Sequence, residues 1–131
     1  MSEGLEPREA ALELLYAQES LTIEPGAAVG RVGRIVNGVL SSLEQIDSEI
    51  EGAAERWSVA RMPLVDRNIL RLAMYEMLFR EDIPPVVSIN EAVEIAKQFS
   101  TRESGAFVNG ILDRLKTDLP RPARTAARTT E

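Results

Sequence analysis

The chain has 131 residues, 44% of them apolar and 5% aromatic, enough for one domain around an aliphatic core. It has no Cys and no His, which removes disulfides, thiolate nucleophiles, zinc–thiolate sites and the commonest base and metal ligand at neutral pH. With 15 basic and 21 acidic side chains the net charge is −6, a poor basis for nonspecific nucleic-acid binding but suited to docking on a basic protein or to RNA held by a local patch.

No strand alternation stands out, and the elements read as helices throughout. Pro7 suits a first helical position, and REAALELLYAQE follows with Ala11, Leu12 and Leu15 as its apolar stripe and Leu14 beside it. Ser20 to Gly26 reads as a turn closed by Pro25-Gly26. A long pattern from Ala27 to Glu55 then keeps three/four spacing through Val32, Ile35, Val36, Val39, Leu40, Leu43, Ile46, Ile50 and Ala53. Of the glycines inside it, Gly38 points to a close helix–helix approach and Gly30 to a late start.

Trp57 to Met62 reads as a connector. Pro63 opens PLVDRNILRLAMYEMLFR, whose apolar positions cover most of the circumference, so this helix should be buried in the middle of the domain. Arg71 and Glu76 on it then need partners or an exposed edge. The run from Glu81 to Pro85 stops the helix, since neither Pro84 nor Pro85 can continue it. Ser88-Ile89-Asn90-Glu91 fits a capping box, with Ile89, Ala92, Val93, Ala96 and Phe99 inward and Glu91, Glu94, Lys97 and Gln98 outward. The last helix should begin near Glu103 or Ser104 and end near Leu119, before Pro120. The first 119 residues therefore read as a single all-α domain, and residues 120–131, PRPARTAARTTE, as a disordered basic tail carrying Arg121, Arg124 and Arg128.

Catalysis finds little support. Gly30-Arg31-Val32-Gly33 lacks the Gly-Lys-Ser/Thr ending of a phosphate loop, and no GxSxG occurs. Glu91 and Glu94 share a helix face, which is the ordinary look of a solvated surface. No enzyme activity, metal or cofactor is expected. The absence of an apolar run of about 18 residues and of a signal layout points to a cytoplasmic protein away from membranes.

The last helix is more informative. At about 100° per residue, Ile111, Leu112, Leu115 and Leu119 fall within about 60° of Val108, while Phe107 and Asn109 lie about 100° to either side. Tyr16 lies about 100° from the centre of the first helix's stripe by the same sum. Such flank aromatics either stack on unpaired bases or fill grooves at helix–helix edges, and periodicity alone leaves both open.

Taken together, REAALELLYAQE, LRLAMYEM, a Pro-containing turn, INEAVEIAK and FVNGILD, in that order, resemble the NusB family of bacterial transcription antitermination factors. The resemblance implies an all-α fold of two small packed helical bundles. It also implies pairing with NusE, a small-subunit ribosomal protein, on the boxA element of nascent RNA within the RNA polymerase antitermination complex, notably in ribosomal RNA operons. By position it places Tyr16, Phe107 and the acidic Glu103 on an RNA-facing surface and Asp66 near the partner. The full RNA-binding set expected is Arg8, Tyr16, Arg102, Glu103, Phe107 and Asn109. One departure stands out: the family usually opens its first helix with Arg and Lys, whereas MSEGLEPREAALEL has Arg8 alone against Glu3, Glu6, Glu9 and Glu13. Arg102 or the tail arginines would then supply the missing charge.

Two other readings remain open at this stage. One is a protein-interaction scaffold that has lost RNA binding. The other is a detached recognition module of an RNA methyltransferase, since similar domains occur fused ahead of such enzymes; the short chain and its end after a polar tail weigh against it. Homodimers occur in parts of the family, and a homodimer would hide the RNA surface.

Overall fold

The structure is a computed structural model that describes residues 7–21, 30–55 and 57–119, without the side chains of Gln18, Ser20, Leu21 and Arg31. Glu3, Glu6, most of the turn expected after Ser20, and the tail from Pro120 lie outside the described residues. Within them are six α-helices and no strand: α1 (Pro7–Leu21), α2 (Gly30–Ser41), α3 (Leu43–Ala54), α4 (Leu64–Phe79), α5 (Pro85–Phe99) and α6 (Arg102–Asp118). One 3-10 turn, Val59–Arg61, interrupts the connector before α4.

The helices form two groups around a shared centre. One joins α1 and α2 to each other and to α4; the other joins α5 to α6 and both to α4, with α3 against α4 and α6. The break between α2 and α3 makes this division. The apolar spacing runs through it unbroken, so the sequence reads as one pattern. At the break the Ser41 hydroxyl donates to the Asn37 carbonyl, and Ser42 leaves helical geometry at φ −116°, ψ 20°. Paired serines offer the backbone such alternatives and are a common site of sharp bends. The bend carries the chain from one group to the other.

Gly38 faces α4 as expected. A β-carbon built there would lie 2.5 Å from the Tyr75 ring, so only glycine admits this approach. The described part of α2 starts at Gly30, whose φ of +69° suits glycine.

Helix α4 is buried on nearly every side, from Asn68 through Met74 and on to Glu76 and Met77. Its charged residues have partners. Arg71 forms a two-pronged bond to Asp47, at 2.9 and 3.0 Å, and also donates to Glu19 at 3.0 Å. Burial alone would raise the Glu19 carboxyl, but hydrogen bonds from Arg67 and Asn68 and the charge of Arg71 hold it below its ordinary value. Glu76 accepts two bonds from Arg8 on α1, at 2.6 and 2.9 Å, and one from the Ser88 hydroxyl on α5 at 2.7 Å. This carboxylate thus ties three helices together.

The bond to Ser88 corrects the capping box. Helix α5 starts four residues earlier, with Pro85 at its first position and Pro84 before it. Ser88 is buried inside the first turns, its hydroxyl committed to Glu76 and not to an orphan N–H. Phe99 is a second correction. It sits on the apolar stripe but is 38% exposed, because it is the last residue of α5 and the chain reverses at Ser100. Val93 is half-buried, and Ile95 takes the inward place beside Ala92 and Ala96.

Candidate nucleic-acid interface

Helix α6 carries most of the expected site, and its start fixes its orientation. Thr101 caps it, its hydroxyl accepting from the Ser104 backbone N–H at 3.0 Å. The Ser104 hydroxyl in turn donates to Asp66 on α4 at 3.1 Å. At Gly105 a β-carbon would come 2.9 Å from Lys97, so α6 rides tightly on α5. Val108, Ile111, Leu112 and Leu115 fill the core below.

This packing sends Phe107 toward the end of α3. Its ring is half-buried and meets Trp57 edge to face, with centroids 6.4 Å apart and planes at 79°. Both rings line an open groove of about 320 Å³ between α6 and the end of α3. Arg114 lines the same groove and forms an ion pair with Glu55.

The expected residues do not all share this face. Along α6, Glu103, Gly110 and Arg114 lie within about 60° of Phe107, while Arg102 and Asn109 lie about 140–160° away. Arg102, Glu103 and Asn109 are all exposed. Tyr16 is 42% exposed, on α1, which packs on α2 and α4 and forms no substantial interface with α6. The ring that touches Phe107 is therefore Trp57, not Tyr16. Arg8, the cation expected of the first helix, directs its guanidinium to Glu76. The larger groove beside it, about 650 Å³ with Arg34 and Arg80 in its walls, contains the paired charges Arg8–Glu76 and Arg80–Asp82.

Asp66 is a correction. It is 3% exposed, so it cannot touch a partner directly; it accepts from Ser104 and ties α4 to α6. One of its oxygens, Oδ1, is buried without a hydrogen bond. Burial pushes this carboxyl above its ordinary 3.8, while the Ser104 bond acts the other way. A carboxyl raised on folding contributes stability below about pH 4 that is lost as pH rises through the raised value. Asp66→Asn, which removes the buried charge, should therefore gain on the parent between pH 4 and pH 7 in thermal melts. A constant difference at both pH values would mean that the charge is not the burden.

Trp57 and Arg114 were not foreseen. The only Trp in the chain stands in a connector, off every apolar helix stripe, and that position was the available signal. Elsewhere Glu94 stands exposed beside Lys97 at 3.7 Å, as part of a solvated face. No three potential metal ligands come together among the described residues. No described helix is long and apolar enough to cross a membrane.

Comparison with known proteins adds the following. The NusB family profile matches residues 5–117. A transcription antitermination protein NusB from Geobacter sulfurreducens is 48% identical over 128 residues, covering 86% of this chain and 93% of the relative. One from Geotalea daltonii is 42% identical over 142 residues, covering 92% and 98%. Among solved structures, T. maritima NusB superposes with a TM-score of 0.78 at 37% identity, covering 88% of this chain and 91% of that one. A chain from a structure of antitermination factors NusB and NusE in complex with dsRNA gives 0.75 at 25% identity, covering 86% and 95%.

Proposed function

The chain belongs to the NusB family, and on that premise we propose that it is an RNA-binding transcription antitermination factor that pairs with NusE on boxA RNA. It acts in the cytoplasm as part of the RNA polymerase antitermination complex and promotes read-through, notably of ribosomal RNA operons. The role is binding, not catalysis.

Phe107 carries this reading. It is a half-buried aromatic ring that lies off its own helix's apolar stripe and lines an open groove. A base laid on such a ring gains roughly 1–3 kcal/mol without any need for net positive charge. That matters in a chain of charge −6 whose first-helix arginine is already spent on Glu76. Phosphate neutralisation must then come largely from the basic partner. A structure of antitermination factors NusB and NusE in complex with dsRNA supports the pairing of the two proteins on RNA.

The test is equilibrium binding of a boxA oligonucleotide at fixed salt, with and without NusE. Weak binding alone and a rise of at least tenfold with NusE are expected. Equal affinity in the two conditions would refute the cooperative reading.

A further inference from the structure

We infer that Trp57 and Phe107 form a two-ring slot that receives one unpaired RNA base, with Arg114 at its rim facing the adjoining phosphate. This inference rests on the RNA-binding reading and adds to it a second ring, a place for one base and a cation. Four observations converge on it.

Trp57 is 49% exposed, although it is the largest side chain in the molecule. Its contact with Phe107 is edge to face. In that arrangement one ring's edge covers one face of the other, so most of the aromatic surface stays available for stacking. The groove that both rings line is open, and small residues give it clearance beside them: Ala53 on α3, and Ala106 and Gly110 on α6. A β-carbon built at Gly110 would meet nothing within 4 Å. A docking helix needs aliphatic depth for its anchors. Small residues beside two flat rings offer thickness for a planar group instead.

The backbone that delivers Trp57 is itself unusual. Glu55 has φ 58° and ψ −61°, the one positive φ at a non-glycine among the described residues. Such a conformation costs free energy and persists only where the surroundings hold it. Here the surroundings include the groove, because the Glu55 carboxylate is paired with Arg114 across it. The strained residue and its ion pair thus stand at the end of α3, beside the groove that Trp57 and Phe107 line. An RNA phosphate competing with Glu55 for Arg114 would meet a guanidinium already positioned at the slot.

Because the chain has a single Trp, its fluorescence reports this site directly. The experiment titrates boxA RNA into the protein with NusE present, with NusE alone as the blank, and follows Trp57 emission alongside the anisotropy of labelled RNA. Quenching that saturates with the anisotropy is expected. Trp57→Ala should weaken binding roughly 5- to 150-fold. Gly110→Leu should weaken it comparably by filling the slot, while folding at least as stably as the parent. RNA binding with Trp57 emission unchanged and both variants at parental affinity would overturn the slot and leave the RNA-binding reading standing. A response to NusE but not to RNA would assign the groove to protein docking and overturn it too. Absence of any RNA binding would remove both readings together.

Discussion

Arg8→Ala is expected to lower the free energy of unfolding by about 3 kcal/mol, the lower end of the cost of stranding a buried charge. Glu76 is 3% exposed, and Arg8 supplies two of the three hydrogen bonds that its carboxylate is seen to accept from named side chains on α1 and α5. Water reaches Arg8, whose side chain is about a quarter exposed, which places the estimate at the lower end. Adding Glu76→Gln to Arg8→Ala should recover much of the loss. The amide carries no charge to strand and still accepts from Ser88. Urea unfolding of the parent, single and double variants gives the comparison. A single variant as stable as the parent would show that the pair contributes nothing. The result also bears on function, since a loss of RNA binding in Arg8→Ala would first have to be separated from a loss of fold.

Much of the architecture could be read directly from residue types. The stripes of α1 and α6, the buried α4 and the stop at Pro84-Pro85 each follow from one physical rule applied locally. Gly38 was legible because a glycine inside a helix needs a reason, and close approach to Tyr75 supplies it. What failed was whatever depended on a neighbour. The bend at Ser41-Ser42 interrupts no apolar spacing, so it left no trace in the periodicity. Ser88 matched a capping pattern, yet a buried carboxylate on α4 was a stronger claimant for its hydroxyl. The resemblance placed Asp66 near the partner, and nothing local to it reveals Ser104, 38 residues away.

The site divides in the same way. Phe107 and Tyr16 stood out as candidates because they leave their own stripes, which is a property of single helices. Trp57 did not stand out, because a connector has no stripe to leave. Its pairing with Phe107 depends on the turn at Glu55 and on how α6 rides on α5. The family's basic first helix has no counterpart in Glu9 and Glu13, and the one arginine there is used internally. In the function proposed above, stacking and a basic partner carry the weight that charge would otherwise carry.

Phe107→Ala should accordingly reduce boxA affinity by roughly 1–3 kcal/mol, about 5- to 150-fold. The side chain is half-buried, so the alanine variant also loses packing against the α3 end and Trp57. Phe107→Leu separates the two effects. Leucine keeps most of the apolar contact and removes the π face, so it should unfold close to the parent while binding RNA nearly as poorly as alanine. Tyr16→Ala, on α1 and away from the α3–α6 groove, tests separately whether the second flank aromatic also holds RNA; a loss of boxA affinity is expected if it does.

The most direct measurement is the boxA dissociation constant of the Phe107→Leu variant in the presence of NusE, set beside its unfolding free energy in urea. Weakened RNA binding with an intact fold is the predicted result. Parental affinity in a variant of parental stability would contradict the claim that this ring holds the RNA.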